Sequence, residues 1–167
     1  MKRFFTVVAL SAVIFSTFTP VVSAQEAVVG AADPDSLFFS KDPELNRNKQ
    51  AAYHIVKDLL EANQWDQADK WIGADYIQHN PSVKNGLPPV IEFFTKTLGR
   101  KPTPVPEKMK TQIVSVVAEG DKVIVAYVEP ITNSKDSSKS YTTTRFDMWR
   151  FKDGKAVEHW DVDVMKD

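Results

Sequence analysis

Residues 109–130, MKTQIVSVVAEGDKVIVAYVEP, and residues 141–162, YTTTRFDMWRFKDGKAVEHWDV, decide the fold. In each stretch, β-branched and aromatic residues flank a short polar break, Glu119-Gly120-Asp121 in the first and Asp153-Gly154 in the second. Breaks of this kind between strand-period runs are hairpin turns. The pattern predicts strands over residues 109–118, 122–129, 140–152 and 155–164.

Upstream of the Pro-rich break at 102–106 the period changes to that of a helix. Asp42-Pro43-Glu44 combines a capping acid, a proline suited to the first helical position and an acid in the first turn. Beyond it Leu45, Ala52, Ile55, Val56, Leu59 and Leu60 recur at three- and four-residue spacing, which predicts an amphipathic helix. Shorter helices are expected over about 66–72 and 88–98, with residues 75–81 leading into a loop closed by Gly86. Three helices followed by four strands, with no helix between strands, predict an α+β fold in which a curved antiparallel sheet wraps the helices into a cone.

Residues 1–24 read as a secretory signal: Lys2 and Arg3, an apolar run to Phe18, then small residues at Val22-Ser23-Ala24. The run is shorter than the ~20 residues a bilayer span needs, so no stable membrane insertion is expected after cleavage. A periplasmic or secreted location follows as an expectation. Residues 25–41, rich in Ala, Asp, Pro and Ser, read as a flexible tether, leaving 42–167 as the folded domain. No cysteine is present, so disulfides and thiol chemistry are excluded. The net charge of −1 becomes −3 without Lys2 and Arg3, and no basic stripe with interleaved aromatics is present. Nucleic acid is therefore not an expected partner.

Strand alternation assigns faces. Arg145, Asp147, Trp149 and Phe151 share one, as do Val157, His159 and Asp161. Glu158, Trp160 and Val162 share the other. Asp147 and Asp161 lie at nearly equal distances from the 153–154 turn, which makes them near cross-strand neighbours. Two enclosed carboxylates resist joint ionisation, so one is expected to carry a raised pKa and to move protons near neutral pH. The equal alternative is that one pairs with Arg145 or Arg150 as a structural ion pair.

Asp75-Tyr76-Ile77-Gln78-His79-Asn80-Pro81 with Gly86 and Phe93-Phe94, and residues 146–151 with 153–155 and 157–162, resemble the two signatures of SnoaL-like polyketide cyclases of the nuclear transport factor 2-like superfamily. The resemblance spans residues 44–164. It implies cofactor-free proton abstraction alpha to a carbonyl, of aldol-cyclase or isomerase type, on a small apolar compound. Asp161 matches the family's catalytic base, Asp147 a His or Asp of the preceding strand, and His79 a pocket histidine. Asp147 stands where some cyclases use His.

Tyr76, Phe94, Trp149 and His159 are expected to bind substrate. Trp149 and Trp160 suit core or dimer-interface positions as well, and His159 suits a solvent-exposed strand end. No metal site is expected, because no His-x-x-x-His or His-x-x-Glu-His pairing occurs. Apolar residues on both faces of the first two strands predict a homodimer through the outer sheet face. The alternative to catalysis is an extracytoplasmic module that binds a hydrophobic small molecule, or serves as a dimerisation platform, without turnover.

Overall fold

The computed structural model describes residues 26–162, and the expected signal and its cleavage site lie outside them. Among the described residues no helix is long and apolar enough to cross a membrane. Helix α1 spans Pro43–His54. Its Asp42 cap accepts from the backbone N–H groups of Glu44 and Leu45, both at 2.9 Å, which satisfies two of the helix's unpaired donors. The helix continues over Ile55–Glu61 with wider π-type winding, closed by the i to i+5 bond from Ala62 N–H to the Lys57 carbonyl at 3.1 Å. A 3-10 helix, Trp65–Lys70, follows. Helix α2, Leu87–Glu92, likewise continues as a π-helical turn over Phe93–Thr97. All three expected helices are thus present, the second shorter and tighter than a regular α-helix.

The sheet has five strands where the sequence predicted four. Strand β1 is Ile72–Gln78, β2 Ile113–Glu119, β3 Lys122–Ile131, β4 Tyr141–Lys152 and β5 Lys155–Asp161. They lie in the order β1-β5-β4-β3-β2. The β2-β3, β3-β4 and β4-β5 pairs are antiparallel, but β1 joins β5 in parallel, so the sheet is mixed. This corrects the purely antiparallel expectation within the same α+β class. Asp153 and Gly154 both have positive φ, 52° and 77°, which is the backbone a two-residue hairpin turn needs.

Two further expectations change. The register of β4 and β5 shifts between Arg150 and Phe151, which pair with Glu158 and Ala156 and leave Val157 as an extra residue. Val157 therefore does not continue the alternation of His159 and Asp161; fully buried Ala156 occupies the inner face instead. Residues 26–41 are also not a dispensable tether. Asp35–Phe38 forms a 3-10 turn, and Phe38 is 0% exposed in the same core as Ala52, Leu59 and Ile113. Asp35 receives the Tyr53 hydroxyl at 2.6 Å and the Met109 N–H at 3.2 Å, and Lys57 donates to Tyr53 at 2.6 Å and to the Glu107 carbonyl at 2.8 Å. These bonds satisfy buried Lys57 and fasten the N-terminal segment to α1 and to the chain leading into β2.

Candidate active site

The helices pack across one face of the sheet and leave a cavity of about 430 Å³ between them, the size of a small-molecule site. Its walls are apolar where the helices contribute Ile55, Val56, Leu60, Trp65, Val90 and Phe94. Trp65 and Phe94 stack with centroids 4.0 Å apart and planes at 9°. Its polar residues come chiefly from the ends of β1, β3, β4 and β5, where inward positions carry hydrogen-bonding side chains.

Asp147 and Asp161 are direct cross-strand partners, as are Trp149 and His159, and all four line the cavity. Their surroundings differ. Asp147 is 4% exposed; its Oδ2 accepts from Arg145 Nη1 at 2.8 Å and its Oδ1 lies 3.4 Å from His159 Nε2. Burial pushes the Asp147 carboxyl up, but the His159 contact and the Arg145 charge together outweigh it and hold the group below the usual carboxylate range. The structural ion pair with Arg145 is thus realised at Asp147, and the raised pKa expected of an enclosed acid is not found there. Arg150 pairs with neither aspartate; it binds Glu158 on the outer face, Nη2 to Oε2 at 2.7 Å.

Asp161 is only partly buried and accepts from Asn80 Nδ2 at 2.6 Å. His159 Nδ1 lies 2.7 Å from Gln78 Oε1, which also accepts from the Asn80 N–H at 3.1 Å. An amide oxygen can only accept from His159, so Nδ1 carries a proton, and a bond from Nε2 to Asp147 needs a second one on the ring. Trp149 stacks on His159 at 5.3 Å, and His159 is buried rather than at a solvent-exposed strand end. Arg145 also lies over the Tyr127 ring at 4.2 Å and reaches Glu129 at 3.4 Å.

Two phenols complete the floor. Burial, with the charge of Asp147, raises both the Tyr76 and Tyr127 hydroxyls well above the usual tyrosine value, so both remain protonated donors at neutral pH. The Tyr127 hydroxyl lies close enough to Asp147 to feel its charge, yet closes no well-formed hydrogen bond.

His79 is not in the cavity. Its ring is 45% exposed on the outer face, stacked on Trp160 at 5.0 Å, with Nε2 2.9 Å from Glu158 Oε1. Strand parity explains the correction: Tyr76, Gln78 and Asn80 point inward, so Ile77 and His79 point outward. Gln78, Asn80 and Tyr127 are the site residues that sequence reasoning missed. The Tyr76-x-Gln78-x-Asn80 alternation is the signal for the first two, in a segment expected only to lead into a loop. Tyr76, Phe94, Trp149 and His159 all line the cavity as expected.

Asp147, His159 and Asp161 also bring one potential ligand atom each within 4.8 Å of one another, the donor types a divalent cation accepts. A cation there would share Asp147 with the Arg145 guanidinium, which already occupies its Oδ2 and opposes a second positive charge.

Comparison with known proteins agrees with this architecture. A proposed polyketide cyclase of Bacillus cereus ATCC 10987 superposes with a TM-score of 0.52 at 17% identity, covering 85% of this chain and 88% of that one. A proposed polyketide cyclase of Acidithiobacillus ferrooxidans gives 0.51 at 15% identity, covering 74% and 90%. An NTF2-like protein of unknown function from Burkholderia pseudomallei K96243 gives 0.50 at 17%, covering 70% and 89%. No curated protein matches the sequence. The family model of SnoaL-like polyketide cyclases matches residues 50–165, more than two thirds of the chain and all of β1 to β5, so this protein belongs to the SnoaL-like polyketide cyclase family.

Proposed function

We propose that the protein is an enzyme that removes a proton alpha to a carbonyl of a small, largely apolar compound, with Asp161 as the base. The observation that carries this reading is the unequal pair of aspartates facing each other across β4 and β5 in an apolar cup. Both Asp147 oxygens are engaged and its charge is balanced by Arg145. Asp161 stays partly accessible to the cavity and is oriented by Asn80. In the proposed step Asp161 takes the proton, the C–H electron pair moves into the carbonyl, and the enolate oxygen gains the charge. Tyr76, held as a neutral phenol, is the donor that would stabilise that oxygen. The enolate carbon then attacks a second carbonyl carbon, closing a ring as that carbonyl's π pair moves onto its oxygen, which takes the proton from Asp161, or the enolate takes the proton back at another carbon. Apolar walls favour the step by excluding water from the enolate.

The test is deuterium incorporation, in deuterium oxide, into ketones that native mass spectrometry finds bound to the protein. Incorporation by the wild type that falls at least ~100-fold in Asp161→Asn, with the fold retained, is expected. Equal incorporation by both proteins, or none by the wild type into any bound ketone, would leave the non-catalytic binding module as the reading.

The same proposal places the protein outside the cytoplasm as a homodimer. The charged start, apolar run and Val22-Ser23-Ala24 support export, and N-terminal sequencing of exported material should begin at Gln25. Recovery of intact Met1 in a membrane fraction would refute it.

A further inference from the structure

Two arginines line the cavity, and they differ in partnership. Arg145 is bound by Asp147 at 2.8 Å and Glu129 at 3.4 Å. Arg100 has no acidic partner among the described residues. It is nonetheless held in place. Its backbone N–H donates to the Phe94 carbonyl at 3.0 Å, its Nη1 reaches the Leu60 carbonyl at 3.5 Å, and its guanidinium lies 5.4 Å from the Phe94 ring. Phe94 in turn stacks on buried Trp65. The aromatic wall thus ends in an exposed cation at the cavity rim with no acidic partner among the described residues.

That cation lies on the same face of the sheet as the aspartates but toward its β2 edge. Arg100 contacts Leu60, and the neighbouring Glu61 carboxylate accepts from Thr111 just before β2. Asp161 lies on β5. In the order β5-β4-β3-β2 these strands are three spacings apart, or ~14 Å at ~4.8 Å per strand before curvature shortens it. Glu129, the only other acid of the lining, is taken up by Arg145. An anionic group entering the cavity is therefore repelled at the Asp147-Asp161 end and attracted at the Arg100 end.

We propose that Arg100 selects substrates bearing a carboxylate at the end remote from the reacting carbonyl, so that the acid docks at the cavity rim and the ketone reaches Asp161. The substrate class is an elongated oxo acid with an apolar body. This inference rests on the proposed function for the ketone's role, but the acid recognition is measurable separately.

The probe is 10-oxoundecanoate, compared with its methyl ester, and the readout is quenching of tryptophan fluorescence, since Trp65 and Trp149 line the cavity. A guanidinium-carboxylate pair at the exposed rim should make the acid bind about three- to fivefold more tightly than the ester in the wild type. Arg100→Gln should abolish that preference and Arg100→Lys should restore part of it. Thermal melting of each variant checks the fold. Equal affinity for acid and ester in the wild type, a preference that survives Arg100→Gln, or no binding of either probe overturns the proposal. Deuterium exchange at the carbons flanking the ketone is scored independently. Acid preference without exchange removes the catalytic reading alone, whereas exchange without acid preference removes the role of Arg100 alone.

Discussion

Asp147 and Asp161 are the same residue type at directly paired positions, yet the fold gives them separate tasks. Asp147 is enclosed with Arg145 and His159, so its carboxylate form is stabilised in the native state and its pKa falls below the ordinary value. A depressed carboxylate pKa contributes stability above the pKa of the unfolded chain, and that contribution is lost as pH falls through the folded value. Wild-type protein should therefore lose stability steeply below pH ~4, where a free aspartate takes up its proton. Asp147→Asn should be less stable at neutral pH and show a shallower acid limb. Thermal melting of both proteins across acid pH checks this, and parallel curves would contradict it. The facing of the two acids was legible because their distances from the 153–154 turn nearly match. The one-residue mismatch is absorbed at Val157, a bulge that no turn signal announces. The role of Arg145 was legible only as one of two alternatives, since spacing places a cation near the acids without saying which one it meets.

At the scale of elements, the N-terminal segment and β1 are where sequence pattern misled, for different reasons. The segment 26–41 lacks periodicity because it is fastened by scattered contacts, chiefly the Phe38 anchor and the polar node of Asp35 with Tyr53 and Lys57. Composition cannot reveal a single buried side chain. Phe38→Ala removes a fully buried ring that stands edge-on to Tyr53 at 5.5 Å. It should cost about 3–5 kcal/mol in chemical denaturation. A dispensable tether would show no change. Strand β1 was missed because its partner β5 lies some eighty residues away and pairs in parallel, so no hairpin marks it. Its cost was functional: the family resemblance alone set His79 in the pocket, and with no strand over 72–78 nothing gave Gln78 and Asn80 an inward face. The two antiparallel hairpins were legible in full, because turn chemistry and alternation agree there.

For the whole molecule, the face of the sheet turned away from the helices carries the proposal of a homodimer. Val117 pairs with Ile124, Ile124 with Met148, and Met148 with Trp160, so one row of apolar side chains crosses β2, β3, β4 and β5. Val117 and Phe146 remain 56% and 45% exposed, and Ile124 is also exposed. A contiguous apolar row on an open face marks an interaction surface. A second copy of the same sheet can cover it by the self-complementary contact of a two-fold dimer. Light scattering should give the dimer mass at micromolar concentration. Ile124→Asp places a charge at the centre of the row without touching the cavity, so it should yield a monomer that still binds pocket ligands. Trp160, screened by His79 at the row's end, should become more accessible to a soluble quencher in that variant. A wild-type mass equal to the monomer, or a dimer that persists in Ile124→Asp, would place the covering surface elsewhere.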